Sequence, residues 1–186
     1  MASIAFFYFD FKDEAKKNVR GALASLLIQL AAQSDAYSRI VSALYSENHA
    51  GSKQPSDDEL RECLKNMLAV PDQAPIYIVM DALDECPNST GTPSARENVL
   101  RLVEWLLSLG CSNLWVSVTS RPEPDIAAVL ESLASHTISL HNEAGQKEDI
   151  TNYIKWFVNS NPRARKWRKE DKELVIEKLS DRADGM

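Results

Sequence analysis

Basic residues, cysteines, histidines and long apolar runs are all scarce in this chain of 186 residues. Lysine and arginine number 21 against 27 aspartates and glutamates, a formal net charge of −6. An acidic surface repels nucleic acid and anionic lipid, so neither is an expected partner. The one basic stretch with an aromatic residue, RARKWRK over Arg163–Lys169, reads as a solvated connection between helices. Cys63, Cys86 and Cys111 are odd in number and far apart, which gives neither a disulfide framework nor the paired spacing of a zinc site. No apolar run approaches the roughly 18 residues that span a bilayer. The longest candidates, Leu23–Ala32 and Val99–Leu109, carry polar residues at helical spacing. The opening MASIAFFYFDFKD has no basic residues before its apolar core and so lacks the form of a secretory signal. A cytoplasmic protein with no membrane contact is the expectation. Glycine is rare as well: there are six, and none precedes a Lys-Ser or Lys-Thr pair. Gly51-Ser52-Lys53 has the wrong order, so a Gly-rich phosphate-cradling loop is missing from this sequence.

What is present alternates between two periodicities. Ile4–Phe9 is a continuous apolar run ending at Asp10, the pattern of a strand buried on both faces. From Ala15 to Gln33, Val19, Ala22, Leu23, Leu26, Leu27 and Leu30 recur at three- and four-residue intervals and predict a helix. A second helical segment is expected over Asp35–Leu44, and a loop over His49–Pro55. Ser56 with Glu59 forms a capping box that opens a helix over about Asp57–Leu68. Ile76–Met80 is a second strand, and Ser94 with Glu97 opens a helix that Gly110 closes. Leu114–Val118 is a third strand, Asp125–Ser135 a helix, and Thr137–Leu140 a fourth short strand. Beyond about Glu143 the pattern is purely helical, with Ile150, Tyr153, Ile154 and Phe157 on one face. Strands alternating with helices predict an α/β fold with a parallel sheet, in which ligands bind at the carboxyl ends of the strands.

Two polar clusters fall at such ends. In IYIVMDALDE an apolar strand runs into Asp81, with Asp84 and Glu85 three and four positions on. A rigid strand tip can fix one carboxylate beside Mg²⁺ while neighbouring acids orient a water toward a terminal phosphate. Asp81 is the candidate for the metal, and Asp84 and Glu85 for water positioning, with Glu85 the preferred general base. Acids after a strand also solvate loops and cap the next element, and periodicity alone leaves both readings open. At the next strand tip stand Thr119, Ser120 and Arg121, two hydroxyls and a guanidinium suited to a phosphate. The alternative for Arg121 is a surface ion pair with Glu123 or Asp125.

FFYFDFKD, VRGALASLLIQL, IYIVMDALDEC, VSVTSRPEPDI, DITNYI and the terminal LSDRADGM, in that order, closely resemble the fungal NACHT nucleotide-binding domains related to the nephrocystin-3-like N-terminal domain. The resemblance covers essentially the whole chain. It implies a three-layer αβα P-loop NTPase core of the signal-transducing STAND class over residues 1–142 and the start of a helical lid subdomain over 143–186. It further implies Mg²⁺ with ATP or GTP as ligands, C-terminal ankyrin or WD40 repeats in a longer parent, and a role in fungal non-self recognition. On this reading Asp81 is the Walker B aspartate, Asp84 and Glu85 are the flanking acids, and Arg121 is the sensor arginine. Without the Walker A loop, the chain is expected to be an internal slice, not competent for hydrolysis alone, with weak or no nucleotide affinity of its own. The other class of function is a nucleotide-independent module that oligomerises through the helical faces of Leu23–Leu30 or Ile150–Phe157. A sheet lacking one strand also has an unpaired edge, which predicts marginal stability.

Overall fold

A computed structural model describes residues 2–88, 93–139 and 146–182, without the side chains of residues 146, 147 and 165. The chain divides into two compact units, Met1–Ala134 and Ser135–Met186.

The first unit is built on a three-stranded parallel sheet of β1 (Ser3–Tyr8), β2 (Ile76–Asp81) and β3 (Leu114–Val118), in that order. Between β1 and β2 lie α1 (Val19–Ala31), α2 (Asp35–Glu47) and α3 (Asp57–Leu68); α4 (Ala95–Ser108) joins β2 to β3, and α5 (Pro124–Leu133) follows. The apolar stripe of the sequence is the buried face of α1: Val19, Ala22, Leu23, Leu26, Leu27 and Leu30 lie in the core with Ala5, Phe7, Ile76, Ile78 and Met80 of the sheet. Each fully buried leucine contributes roughly 2 kcal/mol of transfer free energy. This burial removes the Leu23–Leu30 face as an oligomerisation surface. Both expected capping boxes are formed, at Ser56/Glu59 and Ser94/Glu97, and Gly110 takes a φ of 64° just beyond α4.

The sheet is not buried on both faces. Along β1 the side chains alternate between buried and exposed, and register places Ile4, Tyr77 and Trp115 in one row on the outward face. Ile4 is 53% exposed, Phe6 44%, Tyr8 55%, Tyr77 42% and Trp115 58%. The physical reason is topological. Sequential parallel strands joined by right-handed crossovers all receive their helices on the same side, so an apolar run of the two-faced kind has one face packed.

The two sheet edges differ. At β1, the side-chain amide of Gln29 accepts from Phe6 N–H at 3.0 Å and donates to Phe6 C=O at 2.7 Å. Gln33 treats Ile4 in the same way, at 3.0 and 2.7 Å. Gln29 of α1 and Gln33, in the turn just beyond it, thereby imitate a neighbouring strand. The far edge of β3 pairs with no strand among the described residues.

The expected helix from Ala15 begins instead at Val19, because the Asn18 side chain accepts from Gly21 N–H at 2.9 Å and a tight 3-10 turn over Glu14–Lys16 precedes it. Gly21 is required there: a β-carbon would stand 1.8 Å from the carbonyl oxygen of Ala15. The expected fourth strand is absent over 137–139, and Leu140 lies outside the described residues.

The second unit contains α6 (Gln146–Ser160) and α7 (Lys169–Arg182). On α6, Tyr153 and Trp156 are each 62% exposed, and their rings lie 6.0 Å apart. Among the described residues no helix is long and apolar enough to cross a membrane.

Candidate functional site

The carboxyl ends of β1, β2 and β3 bring the two polar clusters together. Parallel pairing continues one step past the strands: Thr119 N–H donates to Met80 C=O at 2.9 Å and Leu83 N–H to Thr119 C=O at 3.0 Å. This sets the threonine beside the acidic segment. Its hydroxyl donates to the Asp81 carboxylate and accepts from Ala82 N–H at 3.0 Å. Asp81 is the last residue of β2 and belongs to the outward row of the sheet. Phe9 N–H, from the neighbouring strand end, donates to its carbonyl at 3.0 Å.

Ala82 turns the chain sharply. It occupies the left-handed region, at φ 56° and ψ 48°, which costs a residue with a β-carbon about 1 kcal/mol or more. Leu83–Glu85 then form a single 3-10 turn anchored by the fully buried Leu83. The turn separates the two acids that follow. Asp84, with its side chain 12% exposed, accepts from Arg121 N–H at 3.1 Å and faces the Arg121 Nε at 3.4 Å. Glu85 lines an open cleft of about 360 Å³ with Tyr8, Phe9, Asp10, Phe11, Lys12, Lys16 and Ala82.

Arg121 is 78% exposed along its side chain, and its ion-pair partner is Asp84 rather than Glu123 or Asp125. Asp125 pairs with Arg96 instead. The Ser120 hydroxyl donates to the carbonyl of Arg121 at 2.8 Å, a local turn contact. Cys86 is fully buried, and its Sγ donates to Lys17 C=O at 3.1 Å. Burial pushes its thiol up to about 11, against a smaller opposing pull from Arg96, so it is a packing residue and not a nucleophile at neutral pH.

Mg²⁺ characteristically takes one or two protein carboxylates and completes its shell with phosphate oxygens and water. A strand-tip carboxylate oriented by a neighbouring hydroxyl, as Asp81 is by Thr119, is compatible with that donor set. Among the described residues no group of three or more His, Cys, Asp or Glu side chains could hold a metal ion.

The sequence pointed to Asp81, Asp84, Glu85, Thr119, Ser120 and Arg121, and all six lie at adjacent strand ends. It did not point to Lys12 and Lys16, which line the cleft with Glu85, nor to Arg96. The only advance signal for Arg96 was its place in the first turn after the Ser94 cap, which fixes its backbone but not where its guanidinium goes.

The model of the family described as nephrocystin 3, N-terminal, matches residues 1–121. The chain belongs to that family. The matched span takes in the whole sheet and closes at Arg121, so every candidate residue of this nephrocystin 3 N-terminal domain falls within it. No curated protein and no solved structure matches the chain.

Proposed function

We propose that this nephrocystin 3 N-terminal domain carries the magnesium-binding and phosphate-sensing half of a nucleotide-dependent switch of the NACHT type. Asp81 is the magnesium carboxylate, Glu85 the general base, and Thr119, Ser120 and Arg121 the groups that meet the terminal phosphate. The observation that carries this reading is the Thr119 hydroxyl donating to Asp81 across two strand tips. That bond couples the metal carboxylate to the phosphate-facing loop. Asp84, turned toward Arg121, reports on the arginine's position, which leaves Glu85 as the acid on the cleft to orient water. Bound Mg²⁺ would neutralise phosphate charge and polarise the terminal phosphoryl group.

Hydrolysis belongs to a parent that supplies the phosphate loop. With no such loop in this sequence, carboxylates face phosphates and magnesium is the main attraction between them, so affinity for ATP or GTP is weak. Ankyrin or WD40 repeats in the parent, and a part in fungal non-self recognition, are the context this reading gives the switch. The test is binding of a fluorescent ATP analogue with and without magnesium, for the chain and for Asp81→Ala. Magnesium-dependent binding lost in Asp81→Ala supports the reading. Equal behaviour of the two proteins in the presence of an upstream phosphate-loop segment refutes it.

One observation favours a second reading, a nucleotide-independent interaction module. The outward sheet face exposes Ile4, Phe6, Tyr8, Tyr77 and Trp115 together, and α6 separately exposes Tyr153, Trp156 and Phe157. Contiguous apolar surface of this kind marks interaction sites. A concentration-dependent molar mass that shifts to monomer on Trp115→Ser, with no nucleotide effect, would favour this module over the switch.

A further inference from the structure

The Arg96 guanidinium lies beneath the candidate site, its side chain only 11% exposed. It touches three separate pieces of backbone and side chain. Nε donates to Cys86 C=O at 2.9 Å and Nη2 to Asp84 C=O at 2.7 Å. Nη1 reaches both oxygens of Asp125, at 3.3 and 3.2 Å. Asn88 donates to the same carboxylate at 3.0 Å, and Ser94, the cap of α4, donates to Asn88 Oδ1 at 3.0 Å.

These bonds close a ring. Arg96 holds the carbonyl of Asp84, the Asp84 carboxylate accepts from Arg121 N–H, and Arg121 C=O accepts from Glu123 N–H at 2.8 Å. Two residues on, at the start of α5, Asp125 returns to Arg96. The acidic turn after β2 and the arginine loop after β3 are thereby tied to one largely shielded cation. A planar guanidinium can satisfy two carbonyls and a carboxylate at once, which a lysine ammonium cannot do in the same plane.

We infer that Arg96 is a positioning residue that fixes the spacing between the acidic turn of Asp84 and Glu85 and the loop of Thr119–Arg121. Its effect on ligand binding rests on the nucleotide-switch reading; its effect on the two loops does not. It contacts neither metal nor phosphate in this role and acts through Asp84 and Asp125.

The experiment uses the full chain with Arg96→Ala and Arg96→Lys, and has two readouts. The first is amide hydrogen exchange without ligand. The Leu83 and Arg121 amides, which bond Thr119 and Asp84 across the loops, are expected to exchange about tenfold faster in both variants, while those of Ile78 and Ala5 in the sheet stay protected. Unchanged exchange at Leu83 and Arg121 overturns the inference. The second is magnesium-dependent binding of the fluorescent ATP analogue, expected to weaken about tenfold or more. Arg96→Lys keeps a cation for Asp125, so it is expected to recover thermal stability relative to Arg96→Ala without recovering binding. Recovery of both together marks a merely structural arginine and overturns the positioning role. If the chain binds no nucleotide even when an upstream phosphate-loop segment is supplied, the switch reading fails, and the exchange readout still decides whether Arg96 couples the loops.

Discussion

Asp84 engages Arg121 twice, accepting from its backbone N–H at 3.1 Å and facing its guanidinium Nε at 3.4 Å. The two contacts differ in weight because the two side chains differ in exposure, 12% for Asp84 and 78% for Arg121. A solvent-exposed guanidinium contributes about 0–1 kcal/mol to an ion pair. A backbone bond to a shielded carboxylate contributes about 1.5–3 kcal/mol. Arg121→Ala is therefore expected to leave unfolding free energy within about 0.5 kcal/mol of the parent, whereas Asp84→Ala costs about 2 kcal/mol. Urea denaturation of both variants checks this, and equal losses would show that the guanidinium dominates.

The glutamine seal on β1 makes a second expectation. Gln29 and Gln33 between them satisfy both outward backbone groups of Phe6 and Ile4. Removing both amides leaves a bare strand edge next to an exposed apolar face, the combination that templates intermolecular pairing. Gln29→Ala with Gln33→Ala is expected to raise light scattering at concentrations where the parent stays clear, and to cost about 4 kcal/mol, the four bonds contributing about 1 kcal/mol net each. A double variant that remains monodisperse would show that the edge is protected by other means.

How far the sequence foretold this arrangement depended on whether a signal was local. The capping boxes at Ser56 and Ser94 need only residues three apart, and both were legible to the residue. The strands were legible as apolar runs, but not that one face of the sheet stays open. That follows from strand order, which no single run encodes. Nothing in the helical stripe of α1 shows why position 21 is glycine; the Ala15 carbonyl, standing where a β-carbon would be, does. In the site, the acids and the arginine were legible from their places after strands. The Asp84–Arg121 pairing and the Arg96 hub were not, because they join residues 37 and 12 positions apart in the chain through side-chain rotamers.

Ala82 supplies a third expectation, with opposite signs for two substitutions. Its φ of 56° and ψ of 48° suit glycine. Relief of that strain is partly offset by the greater freedom of glycine in the unfolded chain, so Ala82→Gly is expected to be neutral or stabilising by up to about 1 kcal/mol. A β-branched side chain has no comfortable conformation there, and Ala82→Val is expected to cost about 2 kcal/mol or more. Thermal unfolding of the pair checks the sign. If glycine destabilised the fold as much as valine, the turn would owe its shape to something other than backbone conformation.

The two buried thiols make stability depend on alkaline pH. Burial pushes Cys63 up to about 11, with a further push from Glu47, and burial does the same for Cys86, against a smaller pull from Arg96. In the unfolded chain both return to the ordinary value of 9.0. A group whose folded value is raised binds its proton more tightly in the folded state. Its contribution is therefore fully present below pH 9 and is lost as pH rises toward 11. At about 1.4 kcal/mol per unit the loss is on the order of 3 kcal/mol at most for each thiol. Urea midpoints are expected to fall across this window in the parent chain and to fall less steeply in Cys86→Ala, whose stability at pH 7 is lower but whose alkaline slope lacks one thiol. Identical slopes for the two proteins would mean that the Cys86 thiol ionises as readily in the fold as outside it, and that Leu83 and the Lys17 carbonyl do not shield it from water.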